Sequence, residues 1–149
     1  MISPLDHRTI EILKHCDRSP GATTHELDAL TESIGVRLPD DYLALISYSN
    51  GIEGPVGREN YLALWPIGEL AKLTRGYRVS EKHPGHVLIG SDGGDTGYAF
   101  DTTKDPMPFV ELSLSCLEDY RGAVGRTLLE FLNYIHDYHY ERPPHSPWQ

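Results

Sequence analysis

The chain has 149 residues, 39% hydrophobic and 23% charged, and 22 acidic residues against 13 Lys and Arg give it a formal net charge of −9. That length suits one domain with a core of its own, and the acidic balance argues against nucleic acid or anionic membrane as partners; it permits fast encounter with a basic protein, and solubility alone also accounts for it. No apolar run is long enough for a membrane span, no secretory signal opens the sequence, and Cys16 and Cys116 lack C-x-x-C spacing, so the expectation is a cytoplasmic protein with reduced thiols.

Ser3-Pro4 reads as the start of a first helix running to about Cys16, with Leu5, Ile12, Leu13 and Cys16 along one face. Residues 18–21 break it. Thr23 and Glu26 have capping-box spacing, which predicts a second helix over residues 24–34 with Leu27, Leu30 and Ile34 inward. A third helix lies within residues 38–51. Pro39 fits its first position, Asp40 and Asp41 oppose the positive end of its dipole, and Asn50-Gly51 supply left-handed residues to stop it.

Residues 52–60, with Gly54, Pro55 and Gly57, read as a loop. Residues 61–65 are short, apolar and aromatic, as a buried strand would be. Pro66 opens a short helix through Ile67, Leu70 and Leu73, and a polar stretch follows to Pro84. Residues 86–90 and 97–101 form a hairpin about the turn Asp92-Gly93-Gly94-Asp95. A further strand covers 108–112, after the turn at Asp105-Pro106. A helical pattern resumes near Cys116. The last helix covers 126–138 with Leu128, Leu129, Leu132 and Ile135 inward. Residues 142–149 read as a mobile tail, leaving one domain over 1–141. Helices first, strands in the middle and helices last predict an α+β domain. Its central, mainly antiparallel sheet has four to six strands flanked by helices.

Four segments carry a resemblance. They are Leu38-Pro39-Asp40-Asp41-Tyr42 with Asn50-Gly51, then 62–70, then the glycine- and aspartate-rich hairpin 89–101, then Thr127-Leu128-Leu129-Glu130-Phe131-Leu132. Their order and spacing resemble the SUKH superfamily, over about residues 24–135. That family includes cell-wall-assembly regulators and bacterial toxin-immunity proteins. The resemblance implies helices around a central sheet and a non-catalytic role, in which immunity members bind and neutralise polymorphic toxins, nucleases among them.

The residues themselves offer little catalytic chemistry. Asp92, Asp95 and Asp101 suit an oxygen-rich cation site, but the EF-hand series is absent, and turn capping explains them better. His136 and His139 stand at i,i+3 near a helix end without further zinc ligands; His83 and His86 flank a Pro-Gly loop. There is no G-x-S-x-G, no Walker lysine and no G-x-G-x-x-G. His15 adjoins Cys16 in sequence, but neighbouring side chains on a helix point apart. The expectation is no enzyme, no catalytic residue, no metal and no cofactor.

The partner implied by the resemblance is a cognate toxin domain, and the net charge predicts a basic one. Its contacts are expected in loops and turns, at Glu53, Glu59, Asp92, Asp95 and Asp105. Among the aromatic residues Tyr61, Trp65 and Tyr98, Trp65 is assigned to the core and Tyr98 remains a contact candidate. Two rivals stand beside this reading. One is a regulatory scaffold for endogenous proteins; the other is a small metal-dependent hydrolase built on Asp92, Asp95 and Asp101.

Overall fold

Each strand pairs with its neighbour in sequence. In the computed structural model, which describes residues 5–137, the strands are β1 (Asp17–Arg18), β2 (Ile52–Val56), β3 (Asn60–Leu64), β4 (His86–Ser91), β5 (Thr96–Asp101), β6 (Phe109–Ser113) and β7 (Tyr120–Gly125). They form one seven-stranded antiparallel sheet in the order β1-β2-β3-β4-β5-β6-β7. The helices are α1 (His7–Ile12), α2 (Thr24–Ile34), α3 (Asp40–Tyr48), α4 (Leu70–Gly76), α5 (Val79–Lys82) and α6 (Leu128–Asp137), with a 3-10 turn at Ile67–Glu69. The α+β class holds, and the sheet is one strand larger than the upper expectation. The helix start at Ser3-Pro4, the helix end at Tyr138, His139 and the tail 142–149 lie outside the described residues.

Strand alternation assigns the two faces of the sheet. The inner face presents Ile52, Val56, Leu62, Leu64, Tyr98, Phe100, Phe109 and Val124. These pack in one cluster with Ile12, Leu30, Leu43, Phe131 and Ile135 from the helices. Three rings form the centre: Phe131 stacks on Phe109 at 4.5 Å and 8°, and meets Tyr98 edge-on at 5.0 Å. On the outer face Leu88, Ala99, Val110 and Leu112 pack beneath Val79 of α5 and Leu117 of the β6–β7 loop.

Local chemistry fixes the helix ends. The Thr23–Glu26 capping box is formed in both directions, and Gly35 closes α2 in the left-handed region. Helix α3 begins one residue later than expected: Pro39 is its N-cap. Its exit also differs. Only Gly51 is left-handed, at φ 89, where a Cβ would press on the Pro66 ring. Asn50 instead turns its Oδ1 to the amide of Ile67 (2.9 Å) and caps the next helical turn. Helix α1 ends at Ile12, short of the expected Cys16, and is capped at its start by Asp6, whose carboxylate accepts from the Arg8 amide.

Three expectations are overturned. Residues 52–56 form a strand, because Pro55 turns its backbone polar side away from β3. Its carbonyl accepts from Cys16 Sγ (3.6 Å) beyond the two residues of β1, so the missing N–H breaks no β2–β3 bond. The stretch after Cys116 forms β7 and not a helix; its two glycines and the bulges opposite β6 suit an edge strand. The polar stretch before Pro84 contains α5, whose N-cap Arg78 takes φ 64.

Candidate functional site: the bare acidic part of the sheet

Antiparallel order sends the β2–β3 hairpin (57–59), the β4–β5 turn (92–95) and the β6–β7 loop (114–119) to one end of the sheet. Glu59, Asp92 and Asp95 therefore share an end, and exposed Glu53 lies on the adjoining outer face of β2. Asp105 is exposed in the β5–β6 connection, at the opposite end. One docking surface cannot hold it with the others, so it is removed from the set.

Tyr98 is a second correction. It is 0% exposed, on the inner face of β5 against Phe131. A partner cannot reach it in the folded protein. Trp65, assigned to the core, is half-buried and packs against both clusters.

Asp92 and Asp95 do structural work in place. Asp92 Oδ1 accepts from the amides of Gly94 (2.9 Å) and Thr96 (3.2 Å), which closes the turn. Asp95 accepts from the Ser113 hydroxyl and the Ser115 amide (2.8 Å), tying the β4–β5 turn to the β6–β7 loop. Those hydrogen bonds, Ser113 first, hold its pKa below the usual carboxylate value. Asp101 is buried at the far end of β5, where it accepts from Thr103 N (3.0 Å) and Thr103 Oγ1 (2.5 Å). Six residues of strand separate it from Asp95, about 20 Å at the usual rise. The three carboxylates of the hydrolase reading thus do not converge. Among the described residues no group of three His, Cys, Asp or Glu side chains is placed to hold a metal ion.

Tyr61, named among the aromatic residues but left out of the expected contacts, belongs on this surface. It is 39% exposed, one of three large hydrophobic residues on the described surface. Its hydroxyl donates to Glu53 Oε2. Its ring borders Gly93, where a Cβ would come within 3.0 Å of Cδ1. Asp17 pairs with Glu53 across β1 and β2, and Pro55 pairs with Tyr61 across β2 and β3. The hydrogen bond to Glu53 raises the Tyr61 pKa, with burial and then the negative charges of Glu53 and Asp17 adding to it. Alternation was the available signal: Leu62 and Leu64 inward leaves Tyr61 outward.

A second polar cluster lies on the outer face at the opposite end. His86 is buried; its Nδ1 faces the Pro84 carbonyl (3.3 Å) and its Nε2 meets Tyr120 Oη (2.7 Å). A carbonyl only accepts, so Nδ1 carries the proton and Tyr120 donates to Nε2. The Asp101 carboxylate stands 3.8 Å from Nε2, and the His83 ring stacks near Tyr120 at 4.6 Å. Burial lowers the His86 pKa, partly offset by the Asp101 charge, and burial raises that of Tyr120 to about 12. Between the depressed native value and about 6.5 the unfolded state binds more protons at this site, so the His86 contribution to stability falls as pH drops through that window. Urea melts at pH 7.5 and 5.5 should show a loss for the native protein that is smaller in His86→Gln. Parallel losses would remove His86 as the source.

No helix among the described residues is long and apolar enough to cross a membrane. The geometry defines an α+β domain with one sheet face roofed by helices and the other roofed, among the described residues, over β4–β7. The chain belongs to the SMI1/KNR4 family (SUKH-1), whose sequence profile matches residues 21–134. Comparison with curated proteins gives no match.

Proposed function

We propose that this chain is an immunity-type protein that binds a basic toxin domain stoichiometrically, without catalysis, and occludes its active site or substrate groove. Family membership is consistent with an immunity-type or a regulatory protein. The observation that favours immunity is the placement of Glu59, Asp92 and Asp95 at one end of the sheet of an acidic chain, beside exposed Glu53 on its outer face. Such a field steers a cationic partner into encounter and acts mainly on the association rate.

The test is surface-plasmon kinetics against a toxin domain encoded beside this gene, at 0.05 and 0.5 M salt. Glu53→Lys with Glu59→Lys reverses exposed charge while sparing the turn that Asp92 holds. Association at low salt should slow by roughly tenfold or more, with dissociation little changed and the difference shrinking at high salt. Absence of binding by any neighbouring product would overturn the immunity reading. Salt-independent binding would overturn the electrostatic mechanism alone.

A further inference from the structure

Packing covers the outer face of the sheet unevenly. Over β4–β7 it lies beneath α5 and the β6–β7 loop. Over β1–β3 the side chains of Asp17, Glu53, Pro55 and Tyr61 are exposed, with α1 reaching the sheet edge only beside Pro55 among the described residues. The floor beside them is low, because Ala63 and Ser91, paired across β3 and β4, are small and buried. Tyr61 stands at the rim of this floor and half-buried Trp65 follows four residues on, on the same face by strand alternation.

We propose that this bare face docks a lysine- or arginine-bearing segment of a partner protein, with the Tyr61 ring as platform and Glu53 and Asp17 as anionic walls; the proposal rests on the reading of the chain as a binder of a basic protein. Three features carry it. The ring is held in place from two sides, by the hydrogen bond to Glu53 and by the close approach to Gly93, so little ordering remains for binding to impose. The charges acting on Tyr61 come from acids, Glu53 and Asp17, and a desolvated cation above an aromatic face gains from both ring and carboxylates. On the inner side of the same β1, Arg18 already lies 3.7 Å from the centroid of the Tyr48 ring, so this fold builds the geometry within itself. The other exposed tyrosine among the described residues, Tyr77, sits between Arg75 and Arg78 in sequence and would repel the same ligand.

The probe is the peptide acetyl-Gly-Arg-Gly-Arg-Gly-amide, titrated into isotopically labelled protein and followed by amide chemical shifts, with the Glu-for-Arg peptide as control. The largest shifts should fall on Glu53, Tyr61, Ala63 and Gly93. Tyr61→Ser should weaken the peptide about two- to fivefold, Tyr61→Phe, which keeps the ring but loses its bond to Glu53, should fall between the native protein and Tyr61→Ser, and Asp105→Lys should change nothing at this face. Shifts centred elsewhere, no shift at millimolar peptide, or Tyr61→Ser binding as tightly as native would each overturn the proposal. Shifts at Tyr61 in a protein that binds no neighbouring toxin would sink the immunity reading and leave this surface standing. Toxin binding with peptide shifts elsewhere would do the reverse.

Discussion

Phe131→Ala is expected to lower the melting temperature by about 10–20 °C. The side chain is 0% exposed and carries the three-ring centre of the inner core, stacked on Phe109 and edge-on to Tyr98. Its removal forfeits the transfer energy of the ring and leaves a cavity that rigid neighbours on two strands cannot close, about 3–5 kcal/mol in comparable cores. For a domain of this size each kcal/mol corresponds to roughly 3–4 °C. Since small domains hold only about 5–15 kcal/mol in total, Phe131→Leu provides a second reading point, with a loss under about 1.5 kcal/mol if the volume is refilled. A melting curve for Phe131→Ala within 2 °C of exposed Ile10→Ala would show that the ring centre is not where the core's stability lies.

Asp41→Ala is expected to cost about 1–2 kcal/mol, the range for loss of a helix cap. Asp41 Oδ1 accepts from the Tyr42 amide (2.7 Å), and Oδ2 reaches across to the Leu128 amide (2.8 Å) at the start of α6. One carboxylate thus satisfies an amide at the head of its own helix and one at the head of another, with its negative charge at the positive ends of both dipoles. Asparagine has one accepting oxygen, so Asp41→Asn should keep one of the two bonds and fall between native and alanine in a denaturant melt. Exposed Asp40→Ala should fall within about 0.5 kcal/mol of native. If Asp40→Ala and Asp41→Ala destabilise equally, dipole charge rather than the long-range cap is responsible.

Local chemistry made some elements legible and left others hidden. Helix α2 could be read to the residue, since Thr23, Glu26 and Gly35 act within one turn of their own positions. The β4–β5 hairpin was legible for the same reason, through Asp92 and Gly93. Strand β2 was not, because Gly54 and Pro55 signal a loop and only the shortness of β1 makes them acceptable in a ladder. Strand β7 depends on its pairing with β6, which no local pattern announces.

The site was less legible than the fold. Tyr98 was misplaced although its parity was readable: Tyr98 and Phe100 share a face opposite small Gly97 and Ala99, so a buried Phe100 takes Tyr98 inward with it. The segments that carried the family resemblance are also occupied by packing. Tyr42 is buried edge-on against Phe100, Asp41 and Asn50 cap other elements, Gly51 abuts Pro66, and Phe131 fills the core. They specify the scaffold. The exposed positions around Tyr61 were left to be found from the register of β2 and β3.

The bond between Asp41 and the Leu128 amide spans 87 residues, and Asn60 Nδ2 donates to the Ile135 carbonyl across 75. Among the described helices α6 is therefore the last that a ribosome supplies. At about 5–20 residues per second, Leu128 is polymerised roughly 4–17 s after Asp41. Phe131 follows Phe109 by only 22 residues, roughly 1–4 s at the same rate, and for that time the paired strands hold Tyr98, Phe100 and Phe109 without the ring that seals them. The nascent chain thus presents an aromatic sheet face to the cell before it presents a finished protein, and that face is where chaperone contact during synthesis should be sought.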